Sequence, residues 1–213
     1  MGFFYKILRS DIFVLSHNVQ FSKSGMHNYN YIKGPQGKQK ITLPVTYGHD
    51  ALIKDVRIFR DEKQIQKIYT AIEQYYGKAP FFADTYTYIQ ALIRAGLDLF
   101  DYSLAEFNVL IIKELCKKFG ISTEFWLSRD FPSKKDTRII EMCLQYRGDT
   151  YLSGSGAAAY HDPDYFEQNG IKLVYSDYTP PVYPQRYGEF IPNLSVLDWI
   201  FNMGFALPEG WLK

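Results

Sequence analysis

The sequence predicts an α/β fold: a single domain over residues 1–213, built on a mixed, mostly parallel Rossmann-like sheet with a helical insertion over residues 61–119. Three observations predict it. From Thr123 onward, short strand-like runs alternate with helical stretches of about ten residues, the pattern of crossover units. Between Asp61 and Phe119, apolar residues recur at helical spacing. The run Thr150-Tyr151-Leu152 stops at Ser153-Gly154-Ser155-Gly156 and passes at once into Ala157-Ala158-Ala159, a strand, a glycine turn and a helix start.

In chain order, Gly2 to Leu8 reads as a short helical segment, and Asp11 to Leu15 as a strand running on through Val19-Gln20-Phe21. Residues 22–40 are rich in serine, glycine, asparagine and lysine and read as loops and turns. Ile41 to Val45 and Ile53 to Phe59 read as strands, with Pro44 at an edge or end. Helices are expected over Asp61 to Tyr76, Asp84 to Ala95 and Ser103 to Phe119, the first closed by Gly77 and the last by Gly120. Strands at Thr123 to Leu127, Thr150 to Leu152 and Lys172 to Tyr175 then alternate with helices at Asp136 to Tyr146, Gly156 to Asn169 and Ser195 to Met203. Tyr178 to Pro184, with three prolines, reads as an extended strap.

A chain of 213 residues can bury roughly 70% of its unfolded surface without disulfide or metal staples. Its 24 basic and 23 acidic residues leave a net charge of +1, which lacks the electrostatic footprint of a nucleic-acid binder. Cys116 and Cys143 stand in apolar helical contexts without a CxxC partner and read as buried thiols, which fits a cytoplasmic protein. No apolar run reaches the ~18 to 20 residues of a membrane span, and no signal-peptide pattern opens the chain. The 18 tyrosines and 16 phenylalanines suit a sugar- or nucleoside-stacking cleft, and equally a rim of half-buried rings around a core.

In a parallel sheet, ligands gather beyond the carboxyl ends of the strands, where the Ser128-Arg129-Asp130 and Ser153-Gly154 turns both fall and share one expected crevice. Backbone N–H groups at the Gly154 to Gly156 junction point to an anion or carboxylate; the alternative is a tight turn capped by Ser155. Among the four histidines no pair has metal-ligand spacing, so no metal is expected. His27, in a polar loop after a strand, suits a general base or a substrate clamp, and also an ordinary exposed loop residue. Lys23 and Lys33 flank it and suit a phosphate or carboxylate, or plain solvation. His161 reads as part of a local turn. Ser195 with Asp198 reads first as a helix-capping pair. No GxSxG elbow is present, which disfavours a lipase-type serine hydrolase.

Several stretches together resemble the WbqC-like family. They are Ser10 to Val14, Asn18-Val19-Gln20-Phe21-Ser22-Lys23, His27-Asn28 with Asn30, Ile32-Lys33-Gly34 and Leu43-Pro44-Val45. Lys78 to Phe82, Tyr151-Leu152-Ser153-Gly154, Tyr160, Tyr183 with Gln185, Phe190-Ile191-Pro192, and Leu194-Ser195 with Asp198, Phe201-Asn202 and Gly204 continue the likeness in the same order to the C-terminus. The chain departs from the family in lacking the opening strand with its HQPxYLPW-type motif before Met1, and in carrying His17 and Tyr29 where the family tends to an acid and an arginine.

The resemblance implies a transferase of bacterial surface-polysaccharide (O-antigen) assembly that moves a glycyl, aminoacyl or related acyl group to an amino sugar. A small-molecule substrate, a sugar nucleotide or amino sugar, follows from it; a cofactor does not. Such chemistry needs a base for the ammonium proton, donors for the developing oxyanion and a pocket for the substrate. The expected allocation gives catalysis to His27, Asn28 and Lys33. Substrate binding falls to Gln20, Lys23, Ser153, Gly154, Gly156, Tyr160, Gln185, Ser195 and Asp198. A nucleotidyltransferase-like, ATP-using enzyme and a non-catalytic carbohydrate- or partner-binding module remain the alternatives.

Overall fold

A computed structural model describes residues 1–211. In chain order its first elements are α1 (Gly2–Leu8), β1 (Ile12–Leu15), β2 (Tyr29–Gly34), β3 (Gly37–Thr42), β4 (Val45–Thr46) and β5 (Arg57–Ile58). Three long helices follow, α2 (Glu62–Tyr76), α3 (Phe82–Leu99) and α4 (Leu104–Lys118). The last third holds β6 (Glu124–Leu127), α5 (Lys135–Gln145), β7 (Thr150–Ser153), α6 (Pro163–Gln168), β8 (Lys172–Tyr175) and α7 (Val196–Met203). Helices and strands mix as an α/β chain requires. Among the described residues the ladders join strands only in pairs: β1 with β6 and β7 with β8 run parallel, β2 with β3 and β4 with β5 antiparallel.

The chain divides into two compact units. One comprises residues 19–121 and 180 onward. In it α2 buries the stripe Ile65, Tyr69, Ile72 and Tyr76, and Asp61 starts the helix by accepting from the N–H groups of Lys63 and Gln64. Ile65 and Tyr69 meet Val56, Ile58, Leu97, Leu104 and Phe107 in one core. At Gly96 of α3 a Cβ would stand 2.8 Å from Phe107 Cδ2, so glycine permits α4 to pack this closely.

The other unit comprises residues 2–18 and 122–179 and contains both parallel pairs. Its core gathers Ile140 of α5, Phe166 of α6 and Ile171, with Tyr151 and Leu173 of the paired strands packed against them. Phe13 of β1 meets Phe3 of α1 and Phe125 of β6 edge-on. Parallel β7 and β8 are connected by α6, so the carboxyl ends of both strands, Ser153 and Tyr175, lie side by side.

Three expectations need correction. Residues 29–40, expected as loops, belong to a hairpin over 29–42: Pro35-Gln36 turns it, Gly37 takes φ +92°, and Lys38 and Lys40 lie over the rings of Tyr31 and Tyr29. The lysines hid a strand whose outward positions are charged. The strand expected over Ile53 to Phe59 is a 3-10 turn at Ile53–Asp55 followed by the short β5. The single helix expected over Gly156 to Asn169 is two pieces, a 3-10 segment Ser155–Tyr160 and then α6. Pro163 causes the break: it biases Asp162 away from helical backbone and opens α6 at its first position, while the Asp162 carboxylate caps the Tyr165 N–H.

Candidate active site

The break between the two helical pieces brings three polar side chains together. On β7, residues two apart share a face, so Tyr151 and Ser153 point the same way. Ser153 is the last strand residue and is 2% exposed. With the chain extended at His161, the imidazole folds back and its Nε2 lies 3.0 Å from Ser153 Oγ. The other ring nitrogen, Nδ1, lies 2.7 Å from Asp136 Oδ1, in the first turn of α5. Asp136 Oδ2 accepts the N–H of Asp162 at 2.9 Å. Serine, histidine and aspartate from three separate elements thus form one line.

The order of partners fixes the proton. Burial works to raise the Asp136 pKa, but the bonds from His161 and the Asp162 N–H outweigh it and hold the carboxyl below its ordinary value. An ionised Asp136 accepts only, so the neutral imidazole carries its hydrogen on Nδ1 and presents the Nε2 lone pair to the Ser153 hydroxyl. Tyr151 and Phe166 stand edge-on to the imidazole, with Tyr175 tilted beside it. The ring is held in a largely apolar box. Beyond Ser153, a Cβ at Gly154 or Gly156 would meet nothing within 4 Å, so the approach on that side is bare backbone.

A second polar group stands at the carboxyl ends of β1 and β6, in the same unit. Asn18 Oδ1 accepts from Ser128 Oγ and, at 2.9 Å, from Arg138 Nη2 of α5. Its Nδ2 donates to Arg129 O and to Asp130 Oδ1, both at 2.7 Å. The Ser128 and Ser153 turns are therefore both tied to the first turn of α5, through Arg138 and Asp136.

The remaining sequence candidates fall elsewhere. The junction at Gly154 and Gly156 opens a six-residue 3-10 segment in place of the expected α-helix, with Gly154 rather than Ser155 as its cap. Tyr160, at the end of that segment, is 82% exposed. In the other unit, Lys33 is buried and donates to Gln185 Oε1 at 3.2 Å and to the Glu189 carbonyl. Gln185 Nε2 donates to Asp198 Oδ2 at 2.9 Å, and the Tyr76 and Tyr183 hydroxyls donate to the same carboxylate at 2.6 Å each. Burial raises the Asp198 pKa against the pull of these donors and Lys33. Lys33, Gln185 and Asp198 thus come together in a closed network whose donors and acceptors are spent on one another.

Ser195 caps α7 through the Leu197 N–H. Asn28 is spent on Leu43, its Nδ2 donating to the Leu43 carbonyl at 2.8 Å. His27 packs against Phe21, and burial lowers its pKa. Gln20 donates to Asp50 at 2.7 Å, and Lys23 is exposed. The residues missed from sequence are His161 and Asp136. The Pro163 break was their one local signal, since it turns His161 back toward Ser153; the Asp136 contact, 25 residues away in the chain, had none.

The profile of the WbqC-like protein family matches residues 1–208. "Uncharacterized protein Rv1507c" of Mycobacterium tuberculosis is 30% identical over 212 residues, spanning 98% of this chain and 90% of its own length. No solved structure matches.

Proposed function

We propose, starting from the fact that this chain belongs to the WbqC-like protein family, that it is an acyltransferase of bacterial surface-polysaccharide assembly acting on an amino sugar. The observation that carries the reading is the line from Ser153 Oγ through His161 to Asp136. A serine hydroxyl is a weak nucleophile alone; a neutral imidazole within hydrogen-bond reach, itself oriented by a carboxylate, makes it a competent one. The surface-polysaccharide setting and the amino-sugar acceptor come from the family resemblance.

The transfer runs in two halves. Ser153 Oγ attacks the acyl carbonyl as its proton passes to His161 Nε2; the donor's leaving group then departs and takes that proton. An acyl ester remains on Ser153. The acceptor amine, arriving neutral, attacks the ester carbonyl and gives a proton to His161, which returns it to Ser153 Oγ as the amide separates. Asp136 stabilises the imidazolium in both halves. Backbone N–H groups in the turn after Ser153, ahead of its first bond from Ala157 N–H to Gly154 O, are the donors this reading assigns to the transient oxyanion.

The test is acyl transfer from glycyl or acetyl thioesters to UDP- and dTDP-linked amino sugars, followed by mass spectrometry of the sugar product. Ser153→Ala and His161→Ala are each expected to lower kcat by about three orders of magnitude with the fold intact. Product formation untouched by Ser153→Ala overturns the reading, as does pyrophosphate release from ATP as the sole turnover.

A further inference from the structure

The geometry points to Arg138 as the residue that binds a phosphate oxyanion of the substrate, at the carboxyl ends of β1 and β6. The inference rests on the Ser153 reading for where the reacting atom lies, but the binding it describes needs no chemistry at Ser153.

The Arg138 side chain is half-buried, and its one recorded polar contact is with the neutral Asn18 amide. Among the described residues no carboxylate lies within ion-pair distance of it. A guanidinium presents five N–H donors in a planar fork suited to an oxyanion, and Asn18 Oδ1 takes only one end of it. The neighbouring carboxylates are engaged elsewhere: Asp130 accepts from the far end of the Asn18 amide, and Asp136 holds His161. Asn18 is in turn fixed by four contacts, with Ser128, Arg129, Asp130 and Arg138 itself, so it aims the guanidinium rather than neutralising it.

Position supplies the second half of the argument. Arg138 and Asp136, the carboxylate that orients His161, both belong to the start of α5, and Arg138 takes the side of the helix that meets Asn18. Ser128, which shares Asn18 Oδ1 with Arg138, directly follows β6, and Ser153 ends β7; strand ends of this kind face bound ligand in parallel sheets. At those same strand ends His17, next to Asn18, has a buried Nδ1 without a hydrogen-bond partner among the described residues. A fork of donors that lacks an anion, aimed by Asn18 at the carboxyl ends of β1 and β6, matches a phosphate-bearing substrate. Two sources carry that chemistry: the diphosphate of a nucleotide-linked sugar acceptor and the phosphates of a coenzyme A thioester donor.

Calorimetric titration of the full chain with UDP and with coenzyme A, against uridine and pantetheine as phosphate-free controls, tests the assignment and separates the sources. The chain and Ser153→Ala are expected to bind one of the two phosphate ligands alike, and Arg138→Gln to weaken that ligand by tenfold or more. Arg138→Lys, which keeps the charge and loses the fork, should fall between. The control without phosphate should be indifferent to all three changes. Equal affinity of the chain, Arg138→Gln and Arg138→Lys for both phosphate ligands overturns the inference, and so does failure of both ligands to bind. Acylation of Ser153 is scored separately, so anion binding without acylation sinks only the nucleophile, and acylation without anion binding sinks only Arg138.

Discussion

At the scale of single residues, the account turns on one carboxylate. Asp136 is ionised below the ordinary carboxylate range because His161 and the Asp162 N–H bind its charged form more strongly than burial disfavours it. A depressed folded-state pKa contributes stability that is complete above the unfolded value, near 4, and is lost as pH falls through the folded value. Asp136→Asn removes that contribution. The melting temperature of the variant is therefore expected to lie below that of the parent at neutral pH, with the gap narrowing as pH drops below about 4. A gap that widens in acid contradicts the assignment of charge. Ser153 was visible in the sequence because the strand it closes runs into a glycine turn, where parallel sheets gather ligands; His161 was seen but taken for a turn. Its role depends on Asp136, and a pairing made by packing α5 against β7 leaves no local trace in the sequence.

At the scale of elements, periodicity did its work wherever a helix was long. The three helices between residues 62 and 118 have apolar stripes over several turns, and their starts at Asp61 and Ser103 carry side chains that cap them. Short elements escaped. The β2–β3 hairpin is stabilised by lysines lying on tyrosine rings, so its outward face reads as a polar loop. Asp198 shows how a capping motif can hide a larger job: it stands in the first turn of α7 near Ser195, yet its carboxylate also ties that helix to Tyr76 of α2, to Tyr183 of the strap and to Gln185 just after it. Asp198→Ala leaves the Tyr76 and Tyr183 hydroxyls without this acceptor and Gln185 Nε2 with the Ile191 carbonyl alone. It is expected to cost on the order of 3 kcal/mol in a urea unfolding titration. A loss under ~1 kcal/mol contradicts the view that this network holds the strap and α7 to α2.

At the scale of the whole molecule, the resemblance legible in motifs spread along the chain is matched by a family profile over residues 1–208. Alternating strands and helices after Thr123 foretold the parallel β7–β8 pair that places Ser153. The pairing of β1 with β6, residues more than a hundred apart, required the fold itself. Residues first read as one site are distinct in kind: Lys33, Gln185 and Asp198 belong to a closed network, whereas Ser153 meets His161 and Asp136, which the sequence did not assign to the site, and presents its hydroxyl to a base. That contrast is why the serine, and not the buried lysine, bears the proposed chemistry.

The most direct measurement is the intact mass of the chain after brief exposure to p-nitrophenyl acetate, with peptide mapping of the product. The account predicts one acetyl group on Ser153, absent from Ser153→Ala and formed far more slowly in His161→Ala and Asp136→Asn. Acetylation that falls on lysines alone, or that reaches Ser153 at the same rate without His161, contradicts it.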